Sequence, residues 1–454
     1  MPTSRNIYFD GNFAPVHEEI TSFDLPVHGV IPIELEGRLL RNGPNPVAPV
    51  DPATNHWFSG HGMVHGVRIR GGRAEWYRNR WVRSDEVSDA LGEPRIPGSR
   101  RRPEFSPNTN VGAFAGRTYA MVEAGTPPVE IGFELETLQR SDFDGTLPHG
   151  LTAHPKVDPA TGDLHAMCYS WQELLDHIEY VVVGSDGRVK SVTDIALPGM
   201  SMVHDMSITE RFAVVYDLPV TVDLDLALSG SFSFPFRWNP DYGARVGLVP
   251  LGGGVGAPIW CELEPCYAYH PLNAYDDADG NVVIDIVTYE RMFVDDVWGP
   301  AGDSLPVLER WTVDLARRVV RREVVDERTQ EFPRVRGSLT GRFHRYGYCA
   351  GVGEAFAPGA TFKHDFVAGI TTVHDHGPGR GSVEPAFVAR PDGVSEDDGW
   401  LISYVYDATR DRSDVVILDA RDLSAPALAR IELPARVPHG FHGNWVPDRA
   451  VVSR

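Results

Sequence analysis

The feature that most limits what this chain can fold into is a succession of short β-branched and aromatic runs separated by turns rich in glycine and acids. RTYAMVE, GDLHAMCYSW, RFAVVYDLPV, NVVIDIVTYE, VLERWTVDL, WLISYVYD and SDVVILDA each have the length and composition of one strand. Turn chemistry precedes several of them, in DPATG (158–162), DDADG (276–280) and EDDG (396–399), where glycine is expected to supply positive φ. With 36 prolines and 45 glycines interrupting the rest, the best helix candidate is short: WQELLDHI, 171–178. The expectation is an all-β chain. At 454 residues with no linker, evenly punctuated strands favour a β-propeller over a sandwich or barrel, with 1–454 forming one domain.

The totals exclude several functions. A formal net charge of −21, spread along the chain, opposes nucleic-acid binding. Cys168, Cys261, Cys266 and Cys349 lack CxxC spacing, so neither a disulfide framework nor a cysteine zinc site is expected, and a reducing cytoplasm fits. The N-terminus lacks the basic start and apolar core of a secretory signal, and no uncharged apolar run reaches the roughly eighteen residues that span a bilayer. Solubility is expected, with at most a peripheral hold on membranes, and no obligate protein partner is evident.

Histidines recur in step with the strands. His154, His204 and His270 stand 10, 8 and 12 residues before the runs that begin at Leu164, Phe212 and Val282. If those runs are the same element of successive blades, equivalent positions are related by rotation about one axis, and three imidazoles can converge there on a metal. Imidazole suits iron, copper, nickel or zinc, with geometry deciding among them. Most of the 17 histidines must serve only packing or solvation. His61 and His65 in HGMVH have i,i+4 spacing but lack the glutamate of a HExxH zincin, and the local glycines oppose a helix.

Further segments carry a family resemblance over nearly the whole length: RNGPNP (41–46), HWFSGHGMVHGVRI (56–69), NTNV (108–111), TAHPK (152–156), MVHDM (202–206), YHPLNAYDD (269–277), EFPRV (331–335), EPAFVARPDG (384–393), EDDGWLISYVYD (396–407) and VPHGFHGNW (437–445). In these motifs, in this order, the chain resembles the carotenoid cleavage oxygenases. The resemblance implies a seven-bladed propeller with a dome of loops and short helices over an axial Fe(II), one per chain. Its ligands would be His154, His204, His270 and, in GFHG, His442, with His439 a mere neighbour. Glu123 in MVEAG, Glu331 in QEFPRV and Glu384 in VEPAF would hold the remote ring nitrogens of three of them.

The implied activity is cleavage of a conjugated carbon–carbon double bond of a carotenoid or apocarotenoid by O2, giving two carbonyls and needing no protein acid or base. A long apolar alkene needs an apolar tunnel. Phe232, Phe234, Phe236 and Trp238 alternate in SFSFPFRW and would share one face if extended; Tyr269, beside His270, joins this tunnel set. Such aromatics with Arg237 could also form a membrane-touching entrance. The stilbene-cleaving branch resembles this chain in the iron motifs but carries a lysine immediately before the glutamate aligned with Glu123. Val122 stands there, which favours a carotenoid over a hydroxystilbene or phenylpropenoid. Two other classes compete: a hydrolytic calcium propeller, which would need oxygen ligands at the axis, and a non-catalytic binding propeller, which would need no metal.

Overall fold

The computed structural model describes residues 6–100, 104–231, 233–251, 256–300, 302–353 and 356–448. Antiparallel strands group into seven blades, each led by a strand at the axis. Blade 1 runs outward as Gly443–Pro447, Gly37–Pro44, Gly62–Arg70, Arg73–Trp81 and Thr21–Phe23. Blade 2 is Asn110–Phe114, Arg117–Met121, Val129–Ile131 and Thr137–Arg140; blade 3 is Lys156–Val157, Leu164–Cys168, His177–Val183 and Val189–Ala196. Blade 4 is Met206–Ile208, Phe212–Asp217, Arg245–Pro250 and Ile259–Glu262; blade 5 is Pro271–Asp276, Val282–Thr288, Val307–Asp314 and Val319–Asp326. Blade 6 is Gln330–Arg334, Tyr346–Val352, Pro358–Asp365 and Ile370–His374. Blade 7 is Ala386–Ala389, Gly399–Asp407, Arg412–Asp419 and Ala429–Glu432, with Val27–Gly29 outermost.

Both ends of the chain close the ring. Val27–Gly29 adds to the outside of blade 7, Val27 opposite Ile431, while Gly443–Pro447 becomes the axial strand of blade 1, Trp445 opposite Leu39. The second closure needs two backbones in close approach: a Cβ on Gly43 would lie 2.7 Å from Cα of Gly440. That contact is a physical reason for glycine in both RNGPNP and VPHGFHG.

Because each blade is covered on both faces by its neighbours, a middle strand is buried on both faces and loses the alternation of a half-exposed sheet. Every residue of Phe212–Asp217 and of Val282–Thr288 is buried, whereas the outermost Val319–Asp326 is mostly exposed or half-buried. This is why the middle strands were legible as continuous apolar runs, each buried Val or Ile contributing roughly 1.5–3 kcal/mol.

Two local expectations are corrected. Residues 171–178 form a single turn, Leu174 N–H donating to Ser170 O at 2.7 Å, and from His177 onward the chain pairs as a strand, Ile178 opposite Ile195. The described α-helices are elsewhere: Asp85–Leu91, capped by the Ser84 side chain and by Gly92 at positive φ, and Leu224–Ser229, capped by Asp223 and Gly230. Gly162 and Gly280 do adopt positive φ, but Gly399 does not. It opens a strand where a Cβ would meet Val388 O at 2.4 Å, so close approach explains that glycine.

The two helices, the hairpin Val220–Val222 with Phe236–Trp238, and the 3-10 turn Trp57–Ser59 interrupt the blade pattern. Residues from the turn, from Asp85–Leu91 and from the hairpin arm cover one end of the axis as a dome. Among the described residues, no helix is long and apolar enough to cross a membrane.

Candidate metal centre

Each of the four predicted histidines sits one or two residues before an axial strand: His154 before Lys156–Val157, His204 before Met206–Ile208, His270 before Pro271–Asp276 and His442 before Gly443–Pro447. They belong to blades 3, 4, 5 and 1. The runs that made their recurrence visible in sequence are the second strands of the blades, so the true spacing to the axial element is shorter and more regular. His442 escaped the pattern because its strand arrives from the C-terminus to complete blade 1.

All four rings are buried, and one nitrogen from each lies within 4.8 Å of the other three. The blades without such a histidine provide carboxylates. Glu123 of blade 2 lies 2.9 Å from His204 Nδ1, Glu331 of blade 6 lies 2.7 Å from His270 Nδ1, and Glu384, just before the axial strand of blade 7, lies 2.8 Å from His442 Nδ1. A carboxylate only accepts, so each Nδ1 carries the proton and each Nε2 presents a lone pair to the axis.

His204 Nε2 and His270 Nε2 face each other at 3.2 Å, and His154 Nε2 is buried with no hydrogen-bond partner among the described residues. Lone pairs this close repel unless a positive charge stands among them, so this donor set fits a metal cation. Burial pushes His442 down to about 3 despite Glu384, and holds His154 well below the usual imidazole range. Burial also acts downward on His204, but the charge and hydrogen bond of Glu123 outweigh it and raise that ring; a cation binding at Nε2 displaces the proton.

Residues beyond the sequence expectation complete the surroundings. Arg334 Nε contacts Glu384 Oε1 at 3.0 Å, Gly443 N–H donates to Glu384 Oε2 at 2.8 Å, and the Tyr289 hydroxyl donates to Glu331 Oε1 at 3.0 Å. Burial would raise Glu384, yet Arg334, His442 and Gly443 together hold it far below the usual carboxylate range. Phe332 adopts φ +54 at a register shift in the axial strand of blade 6, which lets Glu331 and the Phe332 ring both face the centre; that ring lies 5.7 Å from His270. His154 has no glutamate; its nearest carboxylate is Asp205 at 3.7 Å, itself paired with Lys156. No sequence signal short of strand register could have paired Arg334 with Glu384.

Two cavities meet at the histidines. The dome side holds about 340 Å³, walled mainly by aromatics such as Trp57, Phe58, Tyr269 and Phe441. The axial side, about 450 Å³, is lined by polar and apolar residues including Asn110, Lys156 and Arg334. Of the predicted tunnel set, Tyr269, Phe234 and Phe236 line the dome cavity, Trp238 does not, and Phe232 lies outside the described residues. The segment is a strand only over Phe236–Trp238, too short to carry four alternating aromatics along one wall, and Trp238 packs against the core beyond the cavity. Phe234 and Phe236 are also buried, so they are not an exposed membrane contact.

Fold and site together define a β-propeller whose four buried axial imidazoles could hold a metal ion under an aromatic cavity. The family model described as RPE65, retinal pigment epithelial membrane protein, matches residues 13–447. A carotenoid cleavage oxygenase of Mycobacterium tuberculosis is 44% identical, with 98% of each chain covered. A carotenoid 9,10(9',10')-cleavage dioxygenase of Arabidopsis thaliana is 31% identical over 98% of this chain and 91% of its own. Among solved structures, a Pseudomonas brassicacearum lignostilbene dioxygenase superposes with TM-score 0.87 at 27% identity, covering 98% and 99%. Cobalt-substituted Synechocystis ACO does so with TM-score 0.84 at 28% identity, covering 95% and 97%. This chain belongs to the carotenoid cleavage oxygenase family and is an enzyme of the dioxygenase type.

Proposed function

We propose that the chain, acting as one propeller domain, holds a single Fe(II) on His154, His204, His270 and His442 and cleaves a conjugated double bond of a carotenoid or apocarotenoid. One oxygen atom of O2 ends in each of the two carbonyl products, so the reaction balances without another co-reactant. The observation that carries this reading is the convergence of four Nε2-type donors, with no carboxylate or thiolate among them, at the floor of an aromatic cavity whose lining, among the described residues, includes no Lys or Arg.

Iron, held by the four histidines, would supply the redox chemistry that reaction with O2 requires. The chain's own residues do the rest. Glu123, Glu331 and Glu384 fix the tautomer and aim of three rings. Phe58, Phe234 and Tyr269 wall a site that holds an apolar polyene against the centre and keeps water out. Calcium hydrolysis finds no support in a nitrogen donor set, and four buried unpaired cysteines suit a reducing cytoplasm.

The lignostilbene dioxygenase likeness favours a second reading, cleavage of a stilbenoid or phenylpropenoid. Val122, buried in the cavity wall beside Glu123, argues against it because an apolar side chain cannot help ionise a phenol. Protein purified without added metal is expected to contain iron near one per chain and to consume O2 with an apocarotenal in preference to a hydroxystilbene. Val122→Lys is expected to raise turnover of the hydroxystilbene by at least about tenfold relative to the parent. Zinc in place of iron, with no oxygen uptake on either substrate, would overturn the oxidative reading.

Peripheral membrane contact belongs to the same proposal, now assigned to Leu224 and Leu228, 55% and 85% exposed on the dome helix Leu224–Ser229. The protein is expected to float with liposomes, and Leu228→Glu to shift it toward the soluble fraction. Wild type found wholly in the soluble fraction removes this part.

A further inference from the structure

Three motif residues that the metal centre does not use meet elsewhere. Arg41 comes from RNGPNP, His65 from HGMVH and His439 from VPHGFHGNW. Arg41 and His65 are directly opposed in the antiparallel pair of Gly37–Pro44 with Gly62–Arg70, so their side chains leave the sheet on the same face. His439 lies just before the closing strand. All three are buried, Arg41 to 3% exposure, and all three line a cavity of about 10 Å³, room for one water-sized particle.

The guanidinium of Arg41 has no hydrogen-bond partner among the described residues, and its Nε is fully enclosed without one. Glu384, the carboxylate whose charge it senses, is already engaged by Arg334, His442 and Gly443. A buried cation left this way is costly unless a counter-charge reaches it.

The imidazoles add donors, not acceptors. Asn12 Nδ2 lies 3.0 Å from His439 Nδ1, and Arg436 donates to Asn12 Oδ1 at 3.4 Å, which fixes the amide; Nδ1 therefore accepts and Nε2 carries the proton. Tyr77 hydroxyl lies 2.9 Å from His65 Nδ1, the one acceptor it has among the described residues, so His65 Nε2 is likewise the protonated nitrogen. Of the remaining lining side chains, Asn42 Oδ1 already accepts from Gly43 N–H and Asn45 Oδ1 from Val16 N–H.

We infer that this cavity is a binding site for one small monovalent anion, a halide such as chloride, held by Arg41, His65 and His439. A water would have to place two protons against a wall rich in donors, while a halide only accepts. Carboxylates and phosphates are too large for the volume.

Bromide is the probe. Crystals of the full chain soaked in sodium bromide are expected to show an anomalous peak in contact with the Arg41 guanidinium. With bromide replacing gluconate at constant ionic strength, the melting temperature should rise by about 1.5 °C per tenfold increase beyond saturation onset. Arg41→Met is expected to abolish that rise while keeping iron; where this variant does not fold, the wild-type anomalous map decides alone. Density at the site without anomalous signal means a water, and overturns the inference whatever the melting curves show.

Discussion

His442→Ala, purified without added metal, is expected to arrive with almost no iron and no oxygen-consuming activity, while His439→Ala keeps both. The two residues lie three positions apart in VPHGFHGNW, yet they face different chambers. His442 points its Nε2 at the axis and its Nδ1 at Glu384; His439 is held by Asn12 and packs its ring edge-on to Phe13 at 4.6 Å. Losing an outer partner of a metal ligand typically costs 10–100-fold in affinity, and losing the ligand itself costs more. Folding should survive in His442→Ala, because Glu384 retains Arg334 and Gly443 N–H and is not left as an isolated buried charge. Metal analysis alongside a thermal melt separates the outcomes. Iron retained in His442→Ala and lost in His439→Ala would show that the axial assignment is wrong.

How much of this was legible in the sequence depends on the range of the interaction. Strands whose residues are buried on both faces, such as Val282–Thr288, write their burial directly into composition. Three of the histidines were legible because each stands a short way before the second strand of its blade, and His442 only because the motif around it resembles that of the family. What failed was local periodicity without its partner. WQELLDHI looks helical alone, but His177 and Ile178 are claimed by the strand opposite Ala196 and Ile195. The aromatics of SFSFPFRW alternate in sequence, but only Phe236–Trp238 is a strand, and while Phe234 and Phe236 line the cavity, Trp238 packs against the core beyond it. Conversely, DEVSDAL carried a serine cap before it and a glycine after it, a helix signal missed amid so many strand signals. Arg334 and Tyr289 were out of reach, because they meet their glutamates only through blade-to-blade register.

The glutamate-to-glutamine series should be graded, and the grading follows from what each carboxylate accepts. At Glu384 N–H donors engage both oxygens, His442 Nδ1–H at one, where Arg334 also lies as an ion-pair partner, and Gly443 N–H at the other. A glutamine there must aim its NH2 at a donor whichever way it turns, and no neighbour can rotate to accept it. At Glu331 one oxygen takes His270 Nδ1–H, with Phe332 N–H beside it, while the other meets the Tyr289 hydroxyl, which can rotate from donor to acceptor. At Glu123 both oxygens lie near the same His204 nitrogen, at 2.9 and 3.1 Å, so one can serve while the other becomes an amide. Iron affinity, measured by competition with a chelator, is therefore expected to fall most in Glu384→Gln, by about 100-fold, less in Glu331→Gln, and least in Glu123→Gln, by about tenfold or under. Equal losses at all three positions would mean that negative charge alone matters; the reverse order would mean that the hydrogen-bond pattern seen here is not what holds the rings.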